Sequence, residues 1–232
     1  MAATVNAQEK DKTINAMLNE FMQKHRRKIF LGFLIVIVFL AAFIVTLTVR
    51  DKIQSSAIIE VDKFNTRYEE LKPFIGREDF AASSSQIEVV VLLADLTAFG
   101  KKSFGFASSR AYNMIADIYW QQKNWEEAET AWLAAAKAAG KSYLAPISFF
   151  NAASAAEQSG NNVSAINHYT SALKFADSFP GAVRAQFAVG RLEEAQGNNE
   201  AALQSYRSLV SKWPDDPVWT NLAQSRIMVL SD

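Results

Sequence analysis

The sequence predicts an all-α protein: a single N-terminal transmembrane helix followed by a helical-repeat, α-solenoid domain. Three observations predict it. Residues 29–49 hold 18 apolar residues out of 21 and no charge. From Ser109 onward, alanines recur at helical spacing, with few prolines and no alternating strand pattern. Within that stretch, three segments repeat one another at a constant interval of 37 residues.

As a helix, residues 29–49 extend about 31 Å, close to the hydrocarbon thickness of a bilayer. A cleaved signal peptide would carry an apolar core of roughly 7 to 15 residues after a short basic start. Here the core is longer and 28 residues precede it, so the run reads as an uncleaved anchor. A buried core helix fits poorly with 21 consecutive uncharged residues.

Orientation follows from the flanking cations, which stay on the cytoplasmic side. The tail 1–28 carries Lys10, Lys12, Lys24, Arg26, Arg27 and Lys28, whereas only Arg50 and Lys52 follow the span closely. The N-terminus is therefore expected in the cytoplasm and everything from Arg50 onward outside it, which in a bacterial inner membrane means the periplasm. In the tail, Ile14, Met17, Leu18 and Phe21 share a helical face. Two readings stand: an amphipathic helix lying on anionic lipid, or a helical extension of the span whose basic end sets topology.

Residues 50–108 read as two juxtamembrane helices. Ile53, Ala57, Val61, Phe64, Tyr68 and Leu71 recur at intervals of four and three until Pro73 stops the helix. The stretch is too short for a dimerising coiled coil and is expected to pack against the first repeat. Ser85-Gln86-Ile87-Glu88 resembles a capping box opening a second helix, Val89 to Phe99, which is apolar nearly all round and so is expected to be buried. Together they suggest a degenerate leading repeat, interrupted by a loop from Gly76 to Ser84.

Residues 109–216 hold three repeats. The aligned anchors are Ala128, Trp132, Ala135; Ala165, Tyr169, Ala172; and Ala202, Tyr206, Leu209. Each follows an earlier helix marked by Tyr112, Ile115, Ala116, Tyr119; by Phe149, Ala152, Ala153, Ala156; and by Gln186, Val189, Gly190, Glu193. At these residues the chain resembles the tetratricopeptide repeat family, whose unit is a helix-turn-helix of about 34 residues. The first repeat matches nearly every position. The third departs at Gln186 and Glu193, and the second carries Pro180 late, consistent with a longer connection. Small residues let paired helices approach and aromatics fill the space between pairs. Residues 217–232 fit a C-terminal capping helix, with Pro217 in its first turn and Trp219, Leu222, Ala223 and Ile227 covering the last repeat.

The chain is short of reactive chemistry. It has no cysteine, which excludes a disulfide framework, a thiolate metal site and a catalytic thiol. Its 24 basic and 24 acidic side chains balance, which argues against a general nucleic-acid binder. His25 and His168 have no second histidine or nucleophile in pattern and read as surface or structural residues. Glu126, Glu127 and Glu129 sit at a helix start, where carboxylates suit the macrodipole, and read as a solvated face. Asn162-Val163-Ser164 is formally a glycosylation acceptor, a signal common by chance. No enzymatic activity, metal or cofactor is expected.

What the repeat resemblance implies is a groove lined by the first helix of each unit. Carried over residue by residue, its positions are Arg110, Asn113, Asp117, Trp120 and Gln121, then Ile147, Phe150, Ser154, Glu157 and Gln158, then Arg184, Phe187, Arg191 and Glu194. Aromatic and polar groups in this mixture suit an extended peptide or a partner helix; alternatively, Phe150 and Phe187 complete the core. The whole layout, from basic tail through span to alanine-rich repeats, also resembles the YfgM-like ancillary subunits of the bacterial Sec translocon. That resemblance implies a scaffold beside the channel, with translocon subunits, secreted chains or periplasmic chaperones as partners. A structural adaptor of an envelope, cell-wall or division complex is the alternative.

Overall fold

A computed structural model describes the backbone of residues 2–77 and 84–231, and their side chains except those of residues 2–15 and Leu18. Among the described residues all regular structure is helical, in the order α1 (Ala2–Leu71), α2 (Ser84–Lys102), α3 (Gly105–Gln121), α4 (Trp125–Ala139), α5 (Leu144–Gln158), α6 (Asn162–Leu173), α7 (Ala182–Ala195), α8 (Asn199–Lys212) and α9 (Pro217–Ser231). The chain divides into two units, Met1–Ile53 and Gln54–Asp232.

The first unit is the N-terminal part of α1. Its apolar run is long enough to cross a membrane, and none of it is buried. Phe30 and Phe39 are each more than two-thirds exposed. Thr46 and Thr48 donate their hydroxyls to the carbonyls of Ala42 and Ile44, at 2.8 and 3.0 Å, so neither leaves a polar group facing outward unpaired. The expected boundaries at 28/29 and 49/50 fall inside one unbroken helix. The described tail residues are helical within α1, with Met17 and Phe21 exposed. Ile14 and Leu18 lie outside the described side chains.

In the second unit, Gln54 to Leu71 of α1 runs antiparallel to α2. Arg67 pairs with Asp95 at 2.7 Å and Phe64 meets Phe99 edge-on at 5.4 Å. Val61, Tyr68 and Leu71 share a core with Val89, Leu92 and Leu96 of α2 and with Ala111, Met114, Ile115 and Ile118 of α3, so the stretch packs on the first repeat as expected. The chain turns at Pro73 and passes Gly76 with φ +78°, where a Cβ would sit 2.5 Å from the Gln121 carbonyl oxygen. Only glycine fits that approach. Most of the loop expected from Gly76 to Ser84, residues 78–83, lies outside the described residues.

Two expectations for α2 fail. The helix starts at Ser84, upstream of the capping-box sequence, and runs on to Lys102. It is also not buried all round: Val89, Leu92, Leu96 and Phe99 face the core, while Ile87, Val90 and Val91 are 69%, 59% and 48% exposed. Composition reports how apolar a helix is, not how many neighbours it has. Here the neighbours lie on one side only.

Helices α3/α4, α5/α6 and α7/α8 form the three pairs, each packed on the next, with α8 packed on α9. The turns within the pairs share one geometry. Lys123, Gly160 and Gly197, spaced by 37 residues, all take positive φ (61°, 79° and 78°). The next amide in each case closes back on the ending helix: Asn124 on Tyr119, Asn161 on Ala156 and Asn198 on Glu193, at 2.8 to 2.9 Å. This is a Schellman closure, which satisfies the last carbonyls of each first helix. Within pairs the helices approach through small residues. Ala128, Ala165 and Ala202 are fully buried, and a Cβ on Gly190 would meet the Tyr206 ring at 2.6 Å.

The late Pro180 sits in a connection from Lys174 to Gly181 whose Phe179 turns inward and packs on Phe150, with ring centroids 5.9 Å apart. At the C-terminus, Trp219, Ala223, Ile227 and Leu230 of α9 cover Tyr206 and Leu209. Leu222, expected among them, is 46% exposed. Thr220 is buried instead, its hydroxyl held by the Trp213 carbonyl at 2.9 Å.

Candidate partner-binding groove

The first helices of successive pairs are tied along one face, and the residues that tie them are largely the expected groove residues. Asp62 of α1 pairs with Arg110 of α3. Tyr68 of α1 donates to Asp117 and accepts from Gln121 at 3.0 Å, and Lys72 stands 3.8 Å from Asp117. Asn113 accepts from Ser148 of α5 at 3.1 Å. Arg184 of α7 lies over the Phe150 ring of α5, 5.4 Å from its centroid, and Arg191 pairs with Glu157. Phe187 packs against Trp219 of α9 at 5.3 Å, and Arg226 of α9 holds Glu194. The face therefore runs from α1 through α3, α5 and α7 to α9.

Two of these ties repeat as three-residue clasps. Glu157 near the end of α5 accepts from Tyr169 of α6 and from Arg191 of α7. Thirty-seven residues on, Glu194 accepts from Tyr206 of α8 and from Arg226 of α9. Burial, reinforced by the neighbouring carboxylate, pushes the Tyr206 phenol up to about 12, and burial likewise raises Tyr169. The Arg226 hydrogen bond holds Glu194 below the usual carboxylate range. Each clasp is thus a neutral phenol, a carboxylate and a guanidinium, all mutually satisfied. In the first pair Trp120 and Trp132 occupy the corresponding positions, their rings 5.5 Å apart, with Trp125 packed on Trp120 at 4.8 Å.

The fourteen expected residues accordingly divide. Arg110, Asn113, Asp117, Gln121, Ser154, Glu157, Arg191 and Glu194 are engaged within the chain. Trp120, Phe150 and Phe187 are half-buried against the core, so the reading that the two phenylalanines complete it describes their packing. Ile147, Gln158 and Arg184 are exposed, Arg184 while lying over the Phe150 ring, as is Arg191 despite its pairing. Sequence reading missed Asp62, Tyr68, Ser148, Phe179 and Arg226. A signal existed for both clasps: Glu157 and Glu194 keep the same 37-residue phase as Tyr169 and Tyr206.

On the opposite face, His168 of α6 meets Glu129 of α4 at 2.8 Å, with both side chains less than one-fifth exposed. Glu129 therefore joins two repeats and does not belong to a solvated face, unlike the exposed Glu126 and Glu127. Among the described residues no three histidine or acidic side chains converge as metal ligands would.

The tetratricopeptide repeat family profile matches residues 107–143 and 150–217, the stretch occupied by α3 to α8. A protein of Treponema pallidum (strain Nichols), described as a TPR repeat-containing protein, is 32% identical over 229 residues, covering 92% of this chain and 93% of the relative. The chain belongs to the tetratricopeptide repeat family. Coverage of that extent takes in the N-terminal part of the chain as well as its tetratricopeptide repeats. The repeat is a protein-interaction unit, so the chain is a scaffold for protein contacts.

Proposed function

We propose that the chain is a single-pass membrane protein that holds protein partners outside the cytoplasm, as an ancillary scaffold of the bacterial Sec translocon and its periplasmic chaperones. The observation that carries the reading is the pairing, on one chain, of a wholly exposed apolar run at residues 29–49 with a tetratricopeptide repeat solenoid. Exposed apolar surface on that scale calls for lipid around it. The excess of cations before the run supports a cytoplasmic N-terminus and periplasmic repeats. The partner meets the face of α3, α5 and α7, where Ile147, Gln158 and Arg184 offer exposed apolar, amide and cationic contacts.

Crosslinking in intact membranes, combined with protease added outside spheroplasts, tests the reading. Protease should digest the chain after Arg50, and the crosslinked species should contain channel subunits, secreted chains or chaperones. A protected repeat domain would reverse the orientation. Crosslinks confined to division or cell-wall proteins, with septal localisation and no secretion defect on deletion, would replace the translocon reading with the envelope adaptor.

A further inference from the structure

A cleft of about 430 Å³ opens between α2 and α4, on the face of α3 turned away from the groove. Its floor is the stripe Tyr112, Ile115 and Tyr119, roughly half a turn of helix from Arg110, Asp117 and Gln121. Thr97 of α2 forms one wall; Glu126, Glu127, Thr130 and the methyls of Ala131 and Ala134 of α4 form the other.

The next seam on this outer face is crossed by a side-chain contact. Thirty-seven residues on, the floor residues become Phe149, Ala152 and Ala156, and His168 bridges to Glu129 across it. In the first seam the polar groups are unclaimed. Among the described residues, the Tyr112, Tyr119 and Thr130 hydroxyls and the Glu126 and Glu127 carboxylates engage no hydrogen-bond or ion-pair partner. The groove differs in this respect, because Asp117, Glu157 and Glu194 are already held by Tyr68, Arg191 and Arg226.

We propose that this cleft is a second docking site, separate from the groove, and that it receives an arginine side chain carried by a protein partner. Aromatic rings on the floor suit a flat cation, and a wall carboxylate takes the two parallel N–H donors of a guanidinium fork, which the point charge of a lysine does not offer. The field agrees: residues 51–232 carry 17 basic against 21 acidic side chains, so the domain attracts a cationic segment. The cleft can fill whether or not the groove is occupied, and whichever partner occupies it.

The test uses the full chain in detergent micelles, labelled at isoleucine and alanine methyls and titrated with the peptide acetyl-Ala-Arg-Ala-Arg-Ala-amide. The Ile115, Ala131 and Ala134 resonances should shift saturably while Ile147, in the groove, stays still. The citrulline peptide of the same shape should produce no shift. The variant E126Q/E127Q should weaken binding by about tenfold or more, with its melting curve recorded to show that it folds. Shifts at Ile147 alone, equal shifts with citrulline, an unchanged affinity in a folded E126Q/E127Q, or no shift at the three cleft methyls would each overturn the proposal.

Discussion

Tyr169 of α6 donates its hydroxyl to Glu157 of α5 at 2.7 Å, and Glu157 in turn receives Arg191 from α7, so one carboxylate binds a repeat internally and joins it to the next. The arrangement recurs in the following repeat through Tyr206, Glu194 and Arg226. Hydrogen bonds to charged groups are worth about 1.5–3 kcal/mol when made in partly buried surroundings. Tyr169→Phe should therefore destabilise the repeat domain by about 1.5 kcal/mol without disturbing its helical content. Chemical denaturation followed by circular dichroism measures it.

The second clasp makes stability depend on pH at both extremes. Glu194 titrates lower in the folded chain than its ordinary value of 4.5, so its contribution is complete above that value and disappears as pH falls through the folded one. Tyr206 is raised from 10.0 to about 12, so its contribution is complete below pH 10 and is lost as pH rises through 12. Arg226→Met should flatten the acid limb and Tyr206→Phe the alkaline limb. Unfolding free energies of the full chain across pH check both slopes.

Lys123 holds the left-handed turn position that glycine occupies at 160 and 197. A side chain there costs roughly 1–2 kcal/mol, part of which glycine gives back in unfolded-state entropy. Lys123→Gly should stabilise the first repeat by about 0.5–1 kcal/mol net, read as a small rise in Tm. A fall would mean that the Lys123 side chain makes a contribution larger than its backbone strain.

Ala165 is fully buried where α6 meets α5. Replacing it with tryptophan forces an indole into a seam sized for a methyl, and Ala165→Trp should cost about 3 kcal/mol or more by overpacking. An unchanged melting curve would contradict the repeat phase.

The repeat was legible because its signal is periodic: Ala128, Ala165 and Ala202 mark the same close approach three times, and the apolar run at 29–49 is legible because nothing interrupts it. The groove was legible only as a set of positions. Whether Arg191 faces a partner or Glu157 depends on a contact 34 residues back in the chain, which local pattern does not encode. The exposed side of α2 was hidden for a related reason. Val90 looks outward and Leu92 inward, yet both are simply apolar in sequence, and only what packs against them tells them apart. Phe179 went unread because it lies in a connection, where no helical period marks an inward-facing residue.

The proposed docking of a protein partner on the face of α3, α5 and α7 is read out by site-specific photocrosslinking in living cells. A photoreactive residue placed at Ile147 or Gln158, both exposed on α5, should trap a discrete protein species, whereas the same residue at the exposed Asp215, in the turn before α9, should trap little. Equal yields at all three positions, or no species at Ile147 and Gln158 while the chain remains folded and anchored, would contradict it.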